Sequence, residues 1–255
     1  KTTTTVNLAA SLATSGQRVL LIDLDPQGNA TMGSGIDKRS LTTSVYQLLL
    51  GLSPTQSVVV RSQTGGYDVL PANRELAGAE LDLFDMDRRE TRLKAALAGH
   101  LASYDFVLID CPPALSLLTL NGLTAAHGVI IPMQCEYYAL EGLSDLVNTI
   151  KQVHRNLNRD LEIIGLLRVM FDPRSTLANQ VSAQLEAHFG DKVFKTLVPR
   201  NIRLAEAPSY GMPGVVFDKA SKGAQAYVAF AAEMIERFAA TMPGVAPMLA
   251  SEGAL

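Results

Sequence analysis

The sequence lacks most of what marks a specialised class of protein. It has two cysteines, Cys111 and Cys135, and neither stands at metal-ligand spacing. Both are expected to pack in apolar surroundings, as thiols of a reduced, cytoplasmic protein do. Its four histidines, His100, His127, His154 and His188, are scattered without ligand spacing. No charge of one sign dominates: 22 Lys and Arg against 25 Asp and Glu give a formal net charge of -3. A chain this close to neutral is not a general polyanion binder, although a local basic patch remains compatible with it. No apolar run reaches membrane-spanning length, and the first residues lack the basic-then-apolar order of a secretory signal. No linker rich in Gly, Pro or Ser divides the chain, and no repeat recurs. One domain over residues 1–240 is therefore expected, followed by a flexible tail, TMPGVAPMLASEGAL, at 241–255.

What is present is apolar and regularly spaced. A hydrophobic content of 47% suffices for one sizeable core. RVLLID at 18–23, YDFVLIDCPP at 104–113, GVIIPMQ at 128–134 and LEIIGLLRVM at 161–170 are continuous rather than alternating apolar runs. Strands buried on both faces of a parallel sheet read this way. A short strand is expected at 67–70. Helices are expected at 2–15 (ending at Gly16), near 41–50, across the charged stretch 74–102, and near 115–126, 139–157, 175–189 and 222–240. Strands separated by helices imply right-handed crossovers in an α/β layered fold.

The chemistry collects at strand ends. In open α/β sheets, ligands sit at the carboxyl ends of the strands. RVLLIDLDP brings Asp23 and Asp25 there, and VLIDCPP brings Asp110. An acid closing an apolar strand suits a magnesium ion held through a bound water, although such an acid is often only a turn former. KTTTTVNLAA supplies a lysine followed by a hydroxyl at a helix start. A phosphate loop ends in this way, its lysine reaching the β and γ oxygens and its hydroxyl ligating the metal. On its own the half-motif is also what many helices begin with by chance.

Together these segments resemble the ParA/Soj chromosome- and plasmid-partition ATPases, in the deviant Walker A class that also holds the MinD-like septum-site proteins. The resemblance rests on KTTTTVNLAA, VLLIDLDPQGNAT, YDFVLIDCPP, PMQCEYYALEGL, VMFDPRSTLANQV and VPRNIRLAEAPSYGMPGVVFDKASKGAQAY. It covers nearly the whole chain, and YYALEGL and APSYG resemble the partition branch. It implies a three-layer α/β/α fold of P-loop NTPase type with a mostly parallel central sheet. It implies ATP and Mg²⁺, with Lys1 as the phosphate lysine, Thr2 as a metal ligand and Thr3 as a phosphate contact. It implies Asp110 as the acid holding the metal through water, and Asp25 as the acid that activates the attacking water and a further candidate metal ligand. Met170, Pro199 and Asn201 would surround the adenine. Relatives carry a strand, a glycine loop and a second lysine ahead of the position of Lys1. The expectation is a longer natural protein, and the alternative is a shortened chain that binds no nucleotide.

The resemblance also implies a homodimer in the ATP state, nonspecific DNA binding, a ParB-like centromere-binding partner and a nucleoid-associated location. The segment 195–222 is a fitting basic surface. It holds Lys195, Arg200, Arg203, Lys219 and Lys222 against Glu206 and Asp218, and Arg174 is a further candidate. Such a surface contacts phosphates without reading bases, and a solvated face is the plain alternative. A related ATPase that positions another cargo or a division complex is the rival function. Membrane positioning is disfavoured, because the final fifteen residues contain no Lys or Arg to build a basic amphipathic helix.

Overall fold

The structure is a computed structural model, and it describes residues 1–137 and 139–241. The tail expected over 241–255 lies outside the described residues except for Thr241. Helix α1 (Thr2–Thr14) opens with four threonines, poor helix formers held here by tertiary contacts. It ends in a Schellman turn. The Gly16 N–H donates to Ala13 O and the Gln17 N–H to Leu12 O, with Gly16 at φ +82°. Strand β1 (Val19–Asp23) follows, buried throughout. Short helices α2 (Asn29–Gly33), α3 (Val45–Leu50) and α4 (Thr55–Val58) lead to strands β2 (Val60–Arg61) and β3 (Asp68–Leu70).

The stretch 74–102 is not the continuous helix the sequence suggests. It divides into a 3₁₀ turn at Arg74–Gly78, α5 (Ala79–Asp82) and α6 (Arg92–Leu97). Arg88 takes a left-handed backbone (φ 54°), which ends any helix. The following turn finds its partners elsewhere. Asn121 accepts from the Leu93 N–H at 3.0 Å and donates to Arg89 O at 2.8 Å, and Thr124 Oγ1 donates to Glu90 O at 2.6 Å. Backbone groups that a helix would pair internally are satisfied by side chains of the next helix. The remaining elements are β4 (Phe106–Asp110), α7 (Leu117–Ala125), β5 (Gly128–Met133), α8 (Ala139–Asn156), β6 (Glu162–Phe171) and α9 (Thr176–Phe189). They are followed by β7 (Val193–Pro199), α10 (Ile202–Glu206), α11 (Gly214–Phe217) and α12 (Lys222–Thr241).

The α/β architecture with mostly parallel strands is as expected, but the pairing forms two sheets. Their orders are β2-β3-β1-β4 and β5-β6-β7, and every neighbouring pair is parallel except β2 with β3. Three apolar layers hold them. Val19 and Leu21 of β1, Phe106 and Leu108 of β4, Ile130 of β5, Leu167 of β6 and Phe194 of β7 face one layer, with α1 and α12. Leu20 and Ile22 face a second layer with α3, α5 and α6. Ile131, Leu166 and Val193 face a third with α8 and α9. One helical layer thus spans both sheets, while each sheet has its own cover on the other side. Both cysteines are unpaired: Cys135 is buried, and Cys111 packs against the second layer with its thiol pushed up to about 12, chiefly by burial. Among the described residues no helix is long and apolar enough to cross a membrane, and no cluster of His, Cys, Asp and Glu could hold a metal by itself.

Phe230 of α12 meets Phe194 of β7 edge-on, with centroids 4.8 Å apart, and both are fully buried. Replacing Phe230 with Ala is expected to lower stability by about 3–5 kcal/mol, read as a fall in the urea midpoint.

Candidate functional site

β1 and β4 run in parallel register, with Asp23 opposite Asp110, so both carboxylates leave the sheet on the face covered by α1. Both acids are buried. Asp110 accepts from the first turn of α1: Thr2 Oγ1 donates to Oδ2 at 2.7 Å and Thr5 Oγ1 to Oδ1 at 3.1 Å. Burial pushes the Asp110 carboxyl above its ordinary value, and the two hydroxyls work against that shift. With its proton pointed at Asp110, the Thr2 hydroxyl has lone pairs left for a cation. Lys1 precedes the helix, and its Nζ donates to Pro112 O at 3.2 Å, just past the end of β4. Thr3 is exposed, and its carbonyl accepts from Asn7 Nδ2 at 2.8 Å.

Asp23 anchors the loop that carries Asp25. Its Oδ2 accepts from the Thr31 N–H at 2.8 Å and from Thr31 Oγ1 at 2.7 Å, and its Oδ1 accepts from the Asp25 N–H at 3.1 Å. Thr31 Oγ1 in turn accepts from the Ala72 N–H at 2.9 Å. Burial raises Asp23 to about 7, with the Asp110 charge adding to the shift. Asp25 accepts on Oδ1 from the Gln27 N–H at 2.9 Å, and its charge reaches Asp110. Its other oxygen has no partner among the described residues. Lys1, Thr2 and Asp110 meet at the carboxyl end of β4, and the charge of Asp25 reaches Asp110. Thr5 and Thr31 were not foreseen. Thr5 lies within one turn of Thr2, a spacing that puts both on one helix face, whereas nothing in DPQGNAT marks Thr31.

The second expected group lies at the carboxyl ends of β6 and β7. Met170 is half exposed at φ 51°, where the β6–β7 register slips, and its neighbour Phe171 pairs with Pro199. Asn201 caps α10 by accepting from the Leu204 N–H at 3.2 Å. This region is tied to α1: the Val215 N–H donates to the buried Asn7 Oδ1 at 3.0 Å. It also touches the loop after β1. A Cβ on Gly35 (φ +77°) would lie 2.9 Å from Gly211 O, and Thr64 Oγ1 donates at 3.3 Å to both Ser34 O and Gly211 O.

The basic candidates divide into two groups. Arg203 is paired with Glu206 at 2.9 Å and Asp218 at 3.4 Å, and Arg174 with Asp172 at 2.9 Å. Arg174 holds the Asp172 carboxyl down to about 2. Arg200, Lys219 and Lys222 are exposed and form no side-chain hydrogen bond or ion pair among the described residues, although the Arg200 charge reaches Asp172.

The buried acids give a pH dependence. Asp23 binds its proton more tightly in the folded chain than in the unfolded one. Stability in the absence of nucleotide and divalent cation is therefore expected to fall as pH rises from about 4 to about 7. Asp23→Asn should flatten that part of the profile, measured by urea unfolding across a pH series.

A family model described as AAA domain (AAA_31) matches residues 1–163. The sporulation initiation inhibitor protein Soj of Bacillus subtilis is 50% identical over 92% of this chain and 92% of its own length. The chromosome partitioning protein ParA of Caulobacter vibrioides (strain NA1000 / CB15N) is 47% identical over 93% of this chain and 90% of its own. Among solved structures, cobyrinic acid a,c-diamide synthase of Mycobacterium smegmatis with bound ADP and magnesium is 39% identical. It covers 94% of this chain and 91% of that chain, with a TM-score of 0.83. An acid-ended parallel sheet, a threonine-led helix docked on it and relatives of this similarity lead to one assignment: the chain belongs to the ParA/Soj family of chromosome-partitioning ATPases.

Proposed function

We propose that the protein is a magnesium-dependent ATPase whose nucleotide state switches a homodimer on and off DNA during segregation. The observation that carries this reading is the 2.7 Å hydrogen bond from Thr2, at the start of α1, to the buried Asp110 at the end of β4. Hydroxyl and carboxylate oxygens form a hard donor set, which suits Mg²⁺ rather than a thiophilic metal. Thr2 would ligate the ion directly and Asp110 would hold it through water, with Asp25 at the rim. Held by these residues, the ion would offset phosphate charge. Lys1 swings its ammonium from Pro112 O to the β and γ oxygens, adding a second positive charge where negative charge develops. Asp25 accepts a proton from water on its unpartnered oxygen. The water oxygen then bonds to the γ phosphorus, the bond to the β–γ bridging oxygen breaks, and ADP leaves with the electron pair. Met170, Pro199 and Asn201 flank the adenine, and Thr3 adds a phosphate contact.

The DNA surface rests on 200–222, led by the unpaired Arg200, Lys219 and Lys222, with Arg203 and Arg174 contributing less because carboxylates already hold them. Two copies in a dimer double a modest patch. The names of the relatives support a place in chromosome partition; a ParB-like partner and a nucleoid location rest on the family resemblance alone.

Asp25→Ala is expected to retain ATP binding and lose hydrolysis, accumulating dimer in size-exclusion runs with ATP. An equal collapse of ATP affinity would contradict the assignment of Asp25 to water. Lys222→Glu should weaken DNA retention several-fold and reduce its salt dependence while leaving ATP turnover without DNA unchanged. Unaltered retention would remove Lys222 from the surface.

A further inference from the structure

A second cluster of cations lies outside the residues considered so far. Gln27, Lys38, Arg39, Asn73, Arg74 and Glu75 line a cleft of about 510 Å³, within the range of small-ligand sites. Its walls are the turn after Asp25, the loop beyond α2 and the turn leaving β3. Gly28 brings them together. It sits at φ +60°, and a Cβ there would lie 2.7 Å from Ala72 O and 2.8 Å from Lys38 Cδ. The Lys38 stem therefore crosses Gly28, and its ammonium donates to Gln27 O.

The donors in this cleft are mostly unspent. Among the described residues neither Arg39 nor Arg74 has a hydrogen-bond or ion-pair partner for its guanidinium. Asn73 Oδ1 accepts from the Glu75 N–H at 3.1 Å, which leaves its amide N–H groups free. The single acid, Glu75, is engaged by Gln47 Nε2 at 2.9 Å. Asp37, beside Lys38, is used by the Arg39 N–H at 3.0 Å. No aromatic or aliphatic side chain lines the cleft, so its lining is polar and mostly cationic. Two forked guanidiniums, an ammonium and two amides suit phosphate oxygens, which accept bidentate, charge-assisted hydrogen bonds.

We infer that the Lys38–Arg39–Arg74 cleft binds phosphate groups at a site separate from Lys1 and Asp110. They come either from a free polyphosphate or from the backbone of DNA. The two sources share one recognition chemistry, and the two arms of the test separate them.

Tripolyphosphate is titrated calorimetrically into the wild-type chain, Lys1→Ala, the double variant Arg39→Gln with Arg74→Gln, and the combined triple variant. Retention of a short duplex DNA is measured on the same four proteins. The changed residues are exposed, and circular dichroism checks that each protein is folded. The double change is expected to weaken binding about tenfold or more in the Lys1→Ala background, where any contribution of Lys1 is absent. Loss in the tripolyphosphate arm identifies a free phosphate ligand, and loss confined to the duplex arm identifies the DNA backbone. Unchanged affinity in both arms overturns the inference, as does arginine-dependent binding of polyglutamate with no response to either phosphate. Because Lys1→Ala is tested separately, failure of the nucleotide reading and failure of this one give different patterns.

Discussion

The carboxylate of Asp110 is the point on which the rest of the site depends. A buried acid with no partners is costly, and here two hydroxyls from the first turn of α1 offset that cost. The same two bonds dock a helix start whose threonines have little intrinsic preference for helix. Local propensity and tertiary contact conflict at these residues, and the contact prevails. Conflicts of this kind gather where a fold is shaped for chemistry.

Asp23 extends this arrangement sideways. It is placed against Asp110 by strand register and by nothing else, so two acids that repel share one face. The repulsion is tolerated because Asp23 collects three donors from the loop it supports. That loop is thereby tied to the exit of β3 through Thr31 and Ala72. The free oxygen of Asp25 is held by this chain of bonds together with the Gln27 N–H on its Oδ1.

Much of this was legible in the sequence. The strands announced themselves as unbroken apolar runs, although only β1 is buried throughout while β4 and most of β5 are half-buried; VLLID and FVLID each closed on an acid. Gly16 marked the end of α1. What stayed hidden depended on partners far away in the chain. The break at Arg88 comes from Asn121 and Thr124 capturing backbone groups of the 89–93 turn, which no local pattern reports. The division into two sheets fits the strand that relatives carry ahead of the position of Lys1. The neutralisation of Arg203 by Asp218 likewise joins residues that only the α10–α11 turn brings together. The role of Thr31 is visible only once β1 and the exit of β3 are seen side by side.

Gly35 and Gly211 meet with no room for a methyl group between them. One belongs to the loop that begins at Asp25, the other to the turn that carries the basic segment. The Thr64 hydroxyl bridges the two backbones, donating to both Ser34 O and Gly211 O. A side chain at Gly35 would meet Gly211 O at 2.9 Å, so the two segments lie this close only while that position stays bare.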